Sequence, residues 1–302
     1  FRRVLFRSLE EKIKKLQSTC RKIWYMADGM YSMYGDYAPI PELMQLCKKY
    51  DQFHIYFDDV HGMSWKGENG SGYVMSVLKE LPDKVVLFGT LSKTFGASGA
   101  VMVSNDKNIF QKVKNFGGPL TFSVQLEPAA VGAAIASAKI HLSNEIYTMQ
   151  KELYERINYF NELLLQTNLP LITLNDSPVF YIGAGMPETG FNLVNRLMQS
   201  GFYVNTGIFP AVPVKNTGLR ITISRHNQKE EIKGLVEALE YHFPKALEDT
   251  HTNLDRVNFA FGRATKETNN TKSTRSNLTI EIYDSIEQVE PDLWNKTVGN
   301  HG

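Results

Sequence analysis

Two short segments bring together residue types able to do covalent chemistry. In HIYFDDVHG, residues 54–62, an apolar stretch ends in Asp58 and Asp59 and is followed by His61. Polar groups then stand just past the carboxyl end of a strand, where open α/β sheets bind ligands. In GTLSKTFGASG, residues 89–99, Lys93 comes soon after the apolar run VVLF and is enclosed by small and hydroxyl residues. Small neighbours let a flat ligand approach the backbone, and Thr90 and Ser92 offer hydroxyl donors to a phosphate. A lysine in such a cleft can be neutral enough to condense with a carbonyl as a Schiff base. Each segment alone has a plainer reading, the Asp or His as a turn former and the lysine as a solvated loop cation.

The elements that must position these groups are legible from periodicity. HIYF (54–57) and VVLF (85–88) read as strands, with IWYM (23–26) before them and VMVS (101–104) after. Leu9, Ile13 and Leu16 share one helical face within a helix expected over 9–22, and PELMQLCKKY (41–50) reads as a helix with Pro41 in its first turn. Strands alternating with helices argue for a mainly parallel sheet covered on both faces. From Asn144 the pattern changes: Ile146, Met149, Leu153, Ile157, Phe160 and Leu164 mark one long amphipathic helix. Strand candidates LITL (171–174) and VFYIGA (179–184) follow, then a helix through FNLVNRLMQS (191–200) stopped by Gly201. FYVN (202–205) and LRITIS (219–224) read as further strands. Asn227 and Glu230 have capping-box spacing ahead of the closing helix EEIKGLVEALEYHF.

The expected organisation is part of a larger α/β domain over 9–143 and a smaller α+β domain over 144–247. Residues 248–277 are polar and read as a linker, and 278–302 as the start of a second domain cut short, an acyltransferase-type domain being the suggested identity. FRRVLFRS at 1–8 resembles a translated sequencing adapter and is set aside from the fold.

Composition narrows the classes. The 302 residues carry 33 basic and 32 acidic side chains, a formal charge of +1, so no global field favours nucleic acid or an anionic membrane surface. Two cysteines, Cys20 and Cys47, have neither a disulfide framework nor metal-ligand spacing, which fits a reducing cytoplasm. No apolar run is long enough to span a bilayer, and the N-terminus lacks a secretory pattern. GENGSG (67–72) reads as a turn rather than a phosphate loop. Tyr25, Tyr31 and Tyr34 read as core or site-lining rings.

Five ordered segments carry a family resemblance: DGMYSMYGDYAPIPEL, FDDVHGMSWKGENGSG, GTLSKTFGASGA, GPLTFSVQLEPA and GLRITIS. Together, from about Trp24 to about Phe243, they resemble the α-oxoamine synthases, within the fold-type I enzymes that use pyridoxal 5'-phosphate (PLP). The resemblance implies an α/β PLP-dependent transferase fold with an incomplete, mainly parallel large domain. It implies that Lys93 holds the cofactor and moves protons at the substrate α-carbon, and that Asp58 pairs with the pyridine nitrogen. His61, with Ser32 second, resembles the partner of the phenolic oxygen. Thr90 resembles a phosphate ligand, and Thr121 and Ser123 resemble residues reaching the phosphate of a neighbouring subunit, hence a homodimer with shared sites. Arg220 resembles the arginine that binds the substrate carboxylate. Asp59 would point the other way on the pleat.

The implied activity is decarboxylating condensation of a small amino acid with an acyl-CoA to give an α-amino ketone. The segment SMYGDYAPIPEL leans toward the serine palmitoyltransferase-like branch. Nothing here matches the family's upstream half of the large domain, so the chain by itself is expected to bind PLP poorly. An aminotransferase sharing Asp58, Lys93 and Arg220, and a non-catalytic subunit of the same fold, stay open at this point.

Overall fold

The computed structural model describes residues 2–263 apart from 124 and 175, with side chains from residue 8 onward. The supposed second domain at 278–302 and most of the supposed linker lie outside the described residues.

The first sheet holds β1 (Ile23–Asp28), β2 (Phe53–Asp58), β3 (Val85–Thr90) and β4 (Ala100–Ser104) in that spatial order. The first three strands are parallel and β4 closes the edge antiparallel. One face is apolar on the pleat: Phe53, Ile55, Phe57, Val85 and Leu87 pack with Ile13 of α1 (Arg2–Leu16), with Ile40, Leu43 and Leu46 of α2 (Ile40–Lys49), and with Val74 of α3 (Gly72–Leu78). The expected helix over 9–22 ends early, at Leu16. The hydroxyl of Thr19 donates to the Leu16 carbonyl at 3.2 Å, a local side-chain bond that competes with helix continuation.

The opposite face departs from the expectation of a sheet covered on both sides. Trp24 and Met26 stand 43% and 69% exposed on it, and Tyr56 stacks on Phe88 with ring centroids 4.8 Å apart. The described helices of the first sheet's core serve the other face. At the carboxyl ends of the strands, this open face terminates in Asp28, Asp58 and Thr90.

Helices α4 (Lys107–Phe116), α5 (Gly118–Phe122) and α6 (Pro128–His141) lead into the long helix α7 (Glu145–Leu165). The second sheet is antiparallel, in the order β5 (Val179–Gly185), β7 (Thr217–Thr222), β6 (Asn205–Gly207). Helices α8 (Pro187–Gln199), α9 (Lys229–Asp249) and α10 (Leu254–Ala260) complete it. Its core joins Ile157, Phe160 and Leu164 of α7 to Phe180, Ile182, Leu219 and Ile221 of the sheet, and to Ile232, Leu239 and Phe243 of α9. Met30 and Trp65, from loops after β1 and β2, are buried in this same cluster.

Four local expectations are corrected. LITL forms only a single bridge, Leu171 to Ile182, and FYVN yields a strand only from Asn205. The capping box of α9 uses Gln228 and Glu231, because the Asn227 side chain accepts from the Ser224 amide and hydroxyl instead. Residues 248–263 are not plain linker: α9 runs to Asp249, and α10 buries Val257 in the second core, so apolar side chains at helical spacing hold this stretch down. Among the described residues no helix is long and apolar enough to cross a membrane.

Candidate active site

The strand β2 ends at Asp58, whose Oδ1 accepts the Val60 amide at 3.1 Å. Its register partner on β1 is Asp28, so two carboxylates stand side by side on neighbouring parallel strands. Burial, reinforced by the charge of Asp58, raises the pKa of Asp28, and Lys93 opposes that shift. Sequence reasoning missed Asp28. Its only signal was an acid closing IWYMAD, and that acquires meaning once the register sets it against Asp58.

Lys93 meets His61. Its Nζ lies 2.8 Å from His61 Nε2. Burial, then the charges of Lys93 and Arg220, lower the imidazole pKa to about 4 against the pull of Asp58. The ring is therefore neutral near pH 7, and Nε2 accepts from the amine, which assigns the ring proton to Nδ1. The His61 carbonyl accepts from Trp65 Nε1 at 2.6 Å, which fixes the turn carrying the ring. Burial also lowers the pKa of Lys93, Arg220 adds to this, and Asp58 and Asp28 oppose it. A lysine poised this way is a better nucleophile than a solvated one.

The loop that holds Lys93 is closed by its own backbone. The Leu91 amide donates to the Gly99 carbonyl at 2.9 Å and the Gly96 amide to the Lys93 carbonyl at 2.9 Å. Gly96 and Gly99 have φ of +79° and +104°, values that favour glycine. Thr90 Oγ1 sits 2.8 Å from Ser92 Oγ and accepts the Ser92 amide at 3.1 Å, so the two hydroxyls form one polar patch beside the lysine.

Arg220 enters from β7, flanked in register by Tyr181 of β5 and Asn205 of β6. Its Nε donates to the Ser32 carbonyl at 2.6 Å and its Nη1 to Thr222 Oγ1 at 3.1 Å. Burial lowers its pKa, though a guanidinium keeps its charge in proteins. The structure thus brings Asp58, His61, Lys93, Arg220 and the Ser32 loop together. Ser32 meets Arg220 through its carbonyl rather than its hydroxyl. Thr121 and Ser123 are exposed at the end of α5, with the Thr121 hydroxyl donating to Gly117, and neither hydrogen-bonds to the Lys93 loop among the described residues.

Asp59 points away from this cluster, as the pleat requires. Only 1% exposed, it accepts the Val74 amide at 2.8 Å near the start of α3, and burial raises its pKa to about 7.

The donor set suits an aromatic aldehyde phosphate: an amine of lowered pKa, a neutral imidazole, a carboxylate at the carboxyl end of an interior strand and paired hydroxyls. Asp28, Asp58 and Thr90 close the same sheet face at the carboxyl ends of three neighbouring strands, where open α/β sheets bind ligands. The family model for aminotransferase class I and II matches residues 2–239. The chain belongs to that family, in its α-oxoamine synthase branch. The 8-amino-7-oxononanoate synthase of Alkaliphilus metalliredigens is 33% identical over 232 residues, 76% of this chain and 57% of that relative. A serine palmitoyltransferase of Sphingomonas wittichii superposes with a TM-score of 0.68 at 25% identity, over 80% of this chain and 59% of that one. The serine palmitoyltransferase of S. paucimobilis, a variant solved with PLP bound, gives 0.68 at 24% identity, over the same shares. The fold is that of the PLP-dependent fold-type I transferases, and the chain spans a little over half the length of the relatives it matches.

Proposed function

We propose that the protein to which this chain belongs binds PLP through Lys93 and condenses a small amino acid with an acyl-CoA, releasing carbon dioxide and free CoA and forming an α-amino ketone. The observation that carries the reading is the Lys93 amine set 2.8 Å from a neutral His61 ring. When bound, PLP supplies an electron sink for charge developing at the substrate α-carbon.

The chain's own residues do the rest. Asp58, fixed by the Val60 amide, offers a carboxylate to a protonated ring nitrogen. His61, neutral with its proton on Nδ1, presents Nε2 to the lysine, and in the other neutral tautomer, with the proton on Nε2, would donate to a phenolic oxygen. Lys93, with its amine free, would take the α-proton, a task that a lowered pKa favours. Arg220 holds the substrate carboxylate with the guanidinium edge left free by Ser32 and Thr222. Thr90 and Ser92 receive the phosphate.

The reading includes a homodimer in the cytoplasm, in which Thr121 and Ser123 reach the phosphate of the partner's site. Its support is the surface beside them: Leu120 and Phe122 are 64% and 89% exposed, two large apolar side chains that a partner surface would cover.

Thiol release from acyl-CoA, assayed with PLP and each small amino acid, tests the reaction. Amino-acid-dependent thiol release that is lost in Lys93→Ala is expected. Keto acid formation without thiol release would overturn the reading in favour of an aminotransferase.

A further inference from the structure

Away from the reacting groups, three side chains from distant parts of the chain converge. Lys66 Nζ lies 2.5 Å from Asp176 Oδ2, Tyr37 Oη donates to Asp176 Oδ1 at 2.8 Å, and Lys66 Nζ is 3.3 Å from Tyr37 Oη. The ammonium also sits 4.7 Å from the Tyr37 ring centroid and 5.3 Å from that of Trp65. Tyr37 stacks on Tyr73, with centroids 4.2 Å apart. The Lys66 side chain is 16% exposed and that of Asp176 52%, so the ion pair alone is partly solvated and of small value; the second donor, Tyr37, and the rings around the ammonium are what make the contact directional. Burial works against the charge on Asp176, yet the hydrogen bonds from Lys66 and Tyr37 hold its pKa below the ordinary value.

The placement of the three residues gives the cluster its meaning. Tyr37 closes the loop that begins at Met30 and includes Ser32, the acceptor of Arg220. Lys66 follows the turn that carries His61. Asp176 precedes β5, the strand whose Tyr181 pairs with Arg220 in register. The three segments that must agree for Arg220 to face His61 and Lys93 are therefore tied at one point outside the site. Within the second core, Met30 and Trp65 bury the same loops, but apolar packing tolerates sliding, whereas a bidentate carboxylate with two directional donors does not.

We infer that Lys66, Tyr37 and Asp176 form a positioning clamp that holds the guanidinium of Arg220 in register with the Lys93–His61 pair. Its bearing on substrate rests on the function proposed above, while its bearing on Arg220 does not. The direct test is the rate at which phenylglyoxal modifies Arg220, mapped by mass spectrometry in the cofactor-free 302-residue chain, with Arg225 as internal control. Asp176→Asn and Lys66→Met should each raise the Arg220 rate by about tenfold, within the range by which residues outside a site modulate it, and leave Arg225 unchanged. The exchanged pair Lys66→Asp with Asp176→Lys should recover most of the protection.

In the thiol-release assay the same variants should raise KM for the amino acid with little change in kcat. An unchanged Arg220 rate in both single variants, or one that rises in parallel with Arg225 because the whole fold loosens, overturns the clamp. A changed Arg220 rate in a protein that shows no amino-acid-dependent thiol release would leave the clamp standing and remove the proposed reaction.

Discussion

Lys93 Nζ and His61 Nε2 lie 2.8 Å apart, a contact in which a neutral imidazole protonated on Nδ1 accepts from the amine. Because the folded-state pKa of His61 is lowered to about 4, the unfolded chain binds this proton first as pH falls. The contribution to stability is fully present above the unfolded value near 6.5 and is lost as pH drops toward 4. Nitrogen-15 shifts of the His61 ring should therefore show the neutral Nδ1–H form down to about pH 4. A ring that titrates near 6.5 would contradict the buried, amine-paired geometry.

Asp59 works in the opposite sense. Its pKa is raised to about 7 by burial, so the folded state holds a proton that the unfolded state has released. This contribution is full below the unfolded value near 4 and disappears as pH rises through 7. Asp59→Asn, whose amide oxygen can still accept the Val74 amide, should flatten the loss of stability between pH 4 and 7 in urea titrations and leave the His61 slope visible. Asp59→Ala should instead destabilise at every pH by about 1–3 kcal/mol, since the Val74 amide loses its buried acceptor.

Gly72 has φ of +94°, and a Cβ there would meet Asp59 Oδ2. Gly72→Ala should lower the thermal midpoint by an amount matching at least about 1 kcal/mol, the cost of alanine at an incompatible backbone angle. An unchanged midpoint would show that the turn around Asp59 relaxes freely.

Arg220 reaches the site with Nε committed to Ser32 and Nη1 to Thr222. Arg220→Lys keeps the charge but cannot make both bonds and still offer a planar edge to a carboxylate. KM for the amino acid should rise by about 10- to 100-fold, matching about 1.5–3 kcal/mol for a charged hydrogen bond, with a smaller change in kcat. An equal fall in kcat with KM unchanged would argue that Arg220 serves the reaction step and not carboxylate binding.

Phe122 is 89% exposed beside Thr121 and Ser123. If this surface joins two copies, Phe122→Asp should convert a dimer to a monomer in light scattering without changing the far-ultraviolet circular dichroism. A full-length wild-type protein that is monomeric under the same conditions would remove the shared-site proposal.

Much of the scaffold was legible because its signals are local. IWYM, HIYF, VVLF and VMVS become β1 to β4, and the repeat from Ile146 to Leu164 becomes α7, since burial on one face imposes the period. LITL failed for the same reason in reverse: four apolar residues satisfy a strand pattern, but only Leu171 finds a bridge partner. Asp58 and Lys93 stood out by their neighbours in sequence. Asp28 and the Lys66–Asp176 contact could not, because the first depends on strand register and the second joins positions 110 residues apart. The Arg220–Ser32 bond, 188 residues apart, is likewise a product of tertiary packing alone.

The claim on which all the chemistry depends is that Lys93 is the residue joined to the cofactor aldehyde. Incubation of the full-length protein with PLP, borohydride reduction and peptide mapping by mass spectrometry would measure this directly. A single reduced pyridoxyl group on the peptide containing Lys93, absent in Lys93→Ala, is the expected result. Label spread over surface lysines such as Lys49 and Lys233, or retained elsewhere at full stoichiometry in Lys93→Ala, would contradict it.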